Sequence, residues 1–343
     1  MEKGKEEMRK LSLTILFLFI PCMAFATSSR VLPTSYNEKT YCASGCDYSS
    51  LATWEAATDI DLVTATKGEV LTCSSGVYND SVILDESTTD SSYFRVIRAA
   101  SGARGTPTSG VRFEITSPIN AVVLLEEYAC IQDIAAKVTT TTNAWRCFRS
   151  GSSYTKFIGC TAYDSGVNTT TNGAGFFIDG NAGTTVGQLV VNCYALNCQS
   201  SGYGGGIIAY AYVNVTAYIY NCTVKNSAPY GISSVSITAD RTVVANVKNC
   251  IANGNTSNFV TRKDAGSATM NQTTNTASAV TFAADGYHLD ASDTVAIGNG
   301  TDLSGDGTFA FDDDIDGETR GTFDIGADEY VTTATRNRLI LIN

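Results

Sequence analysis

Apolar and polar positions alternate along the middle of this chain in a word that keeps returning: apolar, any residue, Gly or Asn, Cys. It reads Phe157-Ile158-Gly159-Cys160, Val190-Val191-Asn192-Cys193, Ile219-Tyr220-Asn221-Cys222 and Val247-Lys248-Asn249-Cys250. Two residues past each cysteine stands a small apolar residue: Ala162, Ala195, Val224, Ala252. An earlier copy, Ile131-Gln132-Asp133-Ile134, has Ile in the cysteine slot and Ala136 two further on. The spacings between copies are 26, 33, 29 and 28 residues, a period that marks stacked repeats. On each side of the third position the alternation has period two, so each word predicts two short strands with one inward face. The third position breaks the alternation; Gly, Asn and Asp tolerate the left-handed backbone such a bend needs. A helix is excluded, because the apolar spacing is not three to four and β-branched and aromatic residues dominate.

A second word follows about fifteen residues later: Gly175-Phe176-Phe177-Ile178-Asp179, Gly206-Ile207-Ile208-Ala209-Tyr210 and Gly231-Ile232-Ser233-Ser234-Val235. Looser copies are Ala144-Trp145-Arg146-Cys147-Phe148 and Asn258-Phe259-Val260-Thr261-Arg262. Three short strands per turn describe one rung of a right-handed parallel β-helix, an all-β solenoid whose rungs stack about 4.8 Å apart. Equivalent residues then form ladders. Cys160, Cys193, Cys222 and Cys250 become an internal stack of buried thiols under Ile134. Asn192, Asn221 and Asn249 become a ladder whose amides bond one another up the bend. On the third strand the outward set is Arg146, Phe148, Phe177, Asp179, Ile208, Tyr210, Ser233, Val235, Val260 and Arg262, with Tyr212 continuing the Tyr210 face.

With these words the chain resembles the pectate-lyase-like β-helix superfamily over roughly residues 65–280. Residues 281–330 lose the rung words and gain Asp. Asp312-Asp313-Asp314-Ile315-Asp316-Gly317-Glu318-Thr319-Arg320 and Phe323-Asp324-Ile325-Gly326-Ala327-Asp328-Glu329-Tyr330 are similar to the D-x-DG-x-x-R and DIGAxE closing module of secreted bacterial β-helix proteins. That resemblance implies a bacterial origin and a C-terminal extension packed on the last rungs. It implies no reaction, since fold does not carry function.

The ends refine the picture. Lys3, Lys5, Arg9 and Lys10 precede the apolar run Leu11–Phe19, and Ala24-Phe25-Ala26 supplies a small-residue cleavage site, so residues 1–26 read as a secretory signal peptide cleaved after Ala26. The run is too short for a comfortable bilayer span, and Pro21 before Cys22 speaks against a lipid anchor. Cleavage takes the formal charge from −11 to −12. Such an acidic chain is a poor partner for nucleic acid or anionic membrane. Residues 27–64 read as an N-terminal segment with a short helix within 47–62; Ser50 is its N-cap and Leu51 and Trp54 share a face. The helix covers the open apolar end of the solenoid. Residues 331–343 form a tail with the apolar end Leu339–Ile342.

Ten cysteines remain after cleavage, in an oxidising compartment. Cys42, Cys46, Cys73, Cys130, Cys147 and Cys198 lie outside the stack; six permit up to three disulfides in fifteen connectivities, with Cys42–Cys46 able to close a small loop. Cysteine-based metal binding is disfavoured by the lack of CxxC and the single His.

Candidate chemistry follows from the resemblance. A lyase of this superfamily needs an Arg or Lys base beside carboxylates that hold Ca²⁺ against a uronate. Arg146 or Arg262 would be that base, and Asp179 the metal-binding or positioning group. Phe177, Tyr210 and Tyr212 suit sugar faces by stacking. Asp312, Asp314 and Asp316 offer an oxygen-rich Ca²⁺ site; the competing reading is a turn at Asp316-Gly317 with Arg320 paired to Asp324 or Glu329. The single His288 lies outside the rungs, and Arg262-Lys263 lacks the spacer of a hydrolase Arg-x-Lys motif, which argues against polygalacturonase-type hydrolysis. The function expected is a secreted protein that binds a polysaccharide or cell-surface glycan without a demonstrable catalytic site. The alternatives are a Ca²⁺-assisted lyase on an acidic glycan and an adhesin-like structural protein.

Overall fold

The computed structural model describes residues 28–139, 145–165, 173–180 and 183–331. The segment expected to be a signal peptide, with its expected cleavage site after Ala26, and the tail beyond Val331 lie outside the described residues.

The short alternating segments form three parallel sheets of nine, seven and seven strands, wound into a right-handed solenoid of about eight turns. The first sheet includes Lys156–Ile158, Thr184–Val191, Asn214–Tyr220 and Thr242–Lys248; the second includes Thr161–Tyr163, Tyr194–Leu196, Thr223–Lys225 and Ile251–Asn253. The third includes Arg146–Ser150, Ala174–Ile178, Gly205–Tyr210, Tyr230–Ser236 and Ser257–Lys263. The register follows the words. Ile131, Phe157, Val190, Ile219 and Val247 pair in one column, and Ala136, Ala162, Ala195, Val224 and Ala252 in another.

Between these columns Asp133, Gly159, Asn192, Asn221 and Asn249 all have positive φ, from 48° to 63°. The bend is left-handed, as the residue types require. The stack cysteines are fully buried and free. Each thiol also reaches the carbonyl of the rung before: Cys193 to Phe157 at 3.4 Å, Cys222 to Val190 at 3.3 Å, Cys250 to Ile219 at 3.3 Å. Phe148, Phe157 and Phe176 fill the same interior, with Phe148 stacked on Phe176 at 4.8 Å.

Four features differ from the sequence reading. First, Cys73, Cys130, Cys147 and Cys198 are buried free thiols, and Cys42–Cys46 is the one disulfide among the described residues. Cys73, Cys147 and Cys198 lie in the solenoid interior, and Cys130 lies in an apolar cluster with Val70, Val96 and Ile158. Second, Phe148 points inward. It pairs with Phe176, and Arg149 pairs with Phe177, so the loose copy is displaced by three positions. An odd displacement turns Phe148 to the inner face; Cys147 faces the interior as well, so the alternation breaks there and Arg146 stays on the outer face. Third, a second left-handed column at Asp164, Asn197, Asn226 and Gly254 turns the chain out of the second sheet. Fourth, the asparagine amides serve the C-terminal segment. Asn192 donates to the Asp313 carbonyl at 3.0 Å and accepts from Arg320 at 3.2 Å, while Asn249 exchanges two bonds with the Thr301 backbone.

A helix, α1 (Leu51–Thr58), closes the first end; Ser50 accepts from the Thr53 amide, and Leu51 and Trp54 are buried in the core. It is shorter than the 47–62 span, and a one-turn helix, α2 (Leu62–Ala65), follows a break. At the other end of the chain, 281–331 packs outside the corner between the first and second sheets. Leu303, Phe311 and Phe323 cover Leu189, Val191 and Tyr220; Ile315 and Ala327 cover Tyr163, Tyr194 and Leu196. Arg320 is its buried hub, bonded to the carbonyls of Asp313 (3.0 Å) and Ala327 (2.9 Å) and paired with Glu329 at 3.3 Å. The first described residues join it, with Arg30 bridging Asp133 (2.7 Å) and Asp313 (2.9 Å).

Candidate functional site

The third sheet turns alternate residues outward on successive rungs. One column is Phe177, Ile208, Ser233 and Val260; the next is Tyr210, Val235 and Arg262, with Asp179 one residue past the end of its own strand. Period-two alternation places them there, because Phe176, Ile178, Ile207 and Ile232 occupy the interior. Phe177, Ile208, Tyr210 and Val235 make a separate apolar cluster on the outer face, with Tyr203 and Ile237 packed against it.

Cations and rings are interleaved over this cluster. The Arg146 guanidinium lies 3.8 Å from the Phe177 ring centre, a cation–π contact. Phe177 meets Tyr210 at 5.3 Å, and Tyr210 meets Tyr212 at 4.7 Å. Arg262 lies 4.5 Å over Tyr203, bonds Asp264 at 2.8 Å and takes the Tyr230 hydroxyl at 3.0 Å. Tyr203 donates to the same Asp264 carboxylate at 2.7 Å. Phe177, Tyr210 and Asp179 are buried, so they form the floor; Tyr212, 45% exposed, is the ring presented to solvent.

Arg149, absent from the sequence-derived outward set, is the partner of Asp179: its Nη2 lies 2.9 Å from Oδ2 and its Nε 3.2 Å from both oxygens. Aligning Phe148 with Phe176, through the small Cys147 in the glycine slot, would have found it. Burial pushes the Asp179 carboxyl up, against the pull of Arg149 and Arg146. Burial pulls Arg146 down, against Asp179. Arg262 is held up by its bonds to Asp264 and Tyr230, and Asp264 is held down by Arg262 and Tyr203. A guanidinium locked in that way gives up its proton less readily than a free one, so of the two arginines Arg146 is the better placed for base chemistry.

The aspartates of the closing module are spread over separate tasks. Asp314 accepts from the amides of Asp316 (2.9 Å), Glu318 (2.8 Å) and Glu329 (3.2 Å), which organises the turn at Asp316-Gly317. Asp316 faces Arg104 at 2.7 Å and His288 Nε2 at 2.7 Å. Among the described residues Asp312, Asp314 and Asp316 do not gather as one ligand group, and the bonds of Asp314 fit the turn reading of this aspartate run. Of the two partners expected for Arg320, Glu329 is the one it reaches. His288 Nδ1 meets Asp285 at 2.5 Å. Asp316 and Asp285, working against desolvation, lift the imidazole to about 9.

No helix among the described residues is long and apolar enough to cross a membrane. Comparison with family models, with curated proteins and with solved structures found no match to this chain.

Proposed function

We propose that this protein is a secreted β-helix that binds a polysaccharide or cell-surface glycan through the outer face of its third sheet. The observation that carries the reading is the exposed Tyr212 ring seated on buried Tyr210, with Arg146 on one side and the Arg262–Asp264–Tyr203–Tyr230 cluster on the other. Aromatic faces backed by a rigid sheet suit pyranose rings, and the flanking ionic and hydroxyl groups suit sugar hydroxyls and carboxylates. The Cys42–Cys46 disulfide and the signal-like N-terminus support the extracellular placement. The test is affinity electrophoresis of the mature chain in gels of neutral and acidic polysaccharides. Retardation is expected on at least one polymer, with Tyr212→Ala weakening it about tenfold, which corresponds to ~1.4 kcal/mol. Retardation unchanged in Tyr212→Ala and Arg262→Ala, or absent on every polymer, overturns the reading.

One observation favours a second reading, a lyase acting on an acidic glycan. The Arg146 guanidinium lies 3.8 Å over the Phe177 ring on the outer face, whereas Arg262 is tied to Asp264 and Tyr230, and burial shifts Arg146 in the direction a base needs. A Ca²⁺-dependent rise in ultraviolet absorbance from unsaturated uronate ends, lost in Arg146→Ala, would establish it. An unchanged absorbance across the panel would remove it.

A further inference from the structure

We propose that His288, Asp316 and Asp328 form a binding site for a divalent first-row transition ion, with the imidazole Nε2 and one oxygen of each carboxylate as ligands. Three segments meet here: the turn at 314–317, the strap at 326–329 and the loop at 285–290. Backbone bonds hold them: Leu289 N to Asp328 Oδ2 at 2.6 Å, Ile315 N to the Ala327 carbonyl at 2.9 Å, and Glu329 N to Asp314 at 3.2 Å. One ligand atom from each of the three side chains lies within 4.8 Å of the others. Donors around a tetrahedral ion at ~2 Å stand ~3.3 Å apart, so adjustments of about an ångström or two bring the set into place.

An independent sign points to a ligand. Asp328 is 2% exposed, and its Oδ1 is fully buried with no hydrogen-bond partner. Leaving such an oxygen unsatisfied costs about 1–3 kcal/mol, and a cation shared with Asp316 and His288 would satisfy it. The surrounding groups are arranged as outer partners of a metal site are. Asp285 takes Nδ1 of His288, which leaves Nε2 as the donor atom once the ring is neutral; Arg104 holds Asp316 Oδ1, which leaves Oδ2. Asp285, Asp316 and Asp328 against Arg104 leave an excess of negative charge for a dication. Mixed imidazole and carboxylate ligands favour zinc or its neighbours over Ca²⁺, which takes oxygen ligands. A cleft of about 250 Å³ lined by Asp285, His288, Asp290, Asp328 and Tyr330 gives an approach.

The competing account is an imidazolium bridging Asp285 and Asp316 with no metal at all. Equilibrium dialysis of the untagged mature chain against Zn²⁺, after chelator treatment, separates the two. One zinc per chain is expected. Asp328→Asn and His288→Ala should each weaken binding by at least a hundredfold, Asp285→Asn by 10- to 100-fold, and Asp290→Asn, on the rim, by less than threefold. Melting curves in chelator show which variants fold, and only those are compared; zinc should raise the melting temperature of wild type and leave Asp328→Asn unmoved. The proposal is overturned by no stoichiometric zinc in wild type, by equal zinc binding in Asp328→Asn, or by Ca²⁺ binding to this site in preference to zinc.

Discussion

Replacing Arg95 should loosen the N-terminal cap from the solenoid. Arg95 lies in the first sheet, 0% exposed, and its guanidinium is almost completely used. Nε bonds Glu126 Oε1 at 2.8 Å and Nη2 bonds Glu126 Oε2, a two-point pair. Nη1 reaches the Glu55 carboxylate and carbonyl, both at 3.2 Å, on α1, and Nη2 takes the Asp85 carbonyl at 2.6 Å. One side chain thus ties the capping helix to two turns of the solenoid. Arg95→Ala leaves Glu126, itself only 5% exposed, with a buried charge and no counterion. Breaking such a pair from one side costs about 3–5 kcal/mol, whereas replacing both partners by well-packed apolar residues is often neutral. Arg95→Ala should therefore cost ~3–5 kcal/mol, and Arg95→Met with Glu126→Leu under ~2 kcal/mol, with a coupling energy near the upper end of the range for residues in contact. The assay is guanidinium denaturation in a Trp145→Phe background, read at two places: Trp54 fluorescence for the cap, where that ring is fully buried, and circular dichroism for the sheets. Solenoids unfold by segments, so the Trp54 transition should move further than the sheet transition. An Arg95→Ala cap transition within ~1 kcal/mol of wild type would refute the reasoning, because a buried unpaired carboxylate has to cost more than that.

Two more outcomes follow from the ladders. Asn249 combines a left-handed backbone with two bonds to Thr301, so Asn249→Gly should lose ~1–3 kcal/mol through the bonds, and Asn249→Ala a further ~1–2 kcal/mol through the backbone; equal melting temperatures for the two variants would separate the bend from the residue type. A thiol reagent should label none of the eight free cysteines among the described residues in the folded state and all eight after unfolding, since each is buried and burial holds the thiols of Cys160, Cys193 and Cys222 far above their usual range; fast labelling of any of them in native buffer would contradict the closed interior.

The repeat was legible because its physics is local. Period-two alternation chooses the inward face, and Gly, Asn or Asp chooses the left-handed bend, so the columns through Phe157 and Ala162 could be aligned from residues alone. The same logic failed where the word was degenerate. Around Cys147 two registers fit the apolar pattern, and only packing of Phe148 on Phe176 selects the one that turns Arg149 toward Asp179. The second bend, at Asp164, Asn197, Asn226 and Gly254, stands four residues past each cysteine, but loops of varying length follow it and blur its period.

What the tertiary structure alone decided lies where the repeating and non-repeating parts meet. The asparagine ladder could have bonded to itself; Asn192 and Asn249 instead bond the closing module, because a buried Arg320 and the Thr301 backbone offered them stronger partners at the corner. The burial of Phe177 and Tyr210 beneath an exposed Tyr212, and the gathering of His288, Asp316 and Asp328, likewise depend on contacts between distant segments. Such contacts follow no period. A strand's face is set by its own residues, but which segment settles against that face is set by the sum of many long-range contacts, none of which a single residue declares.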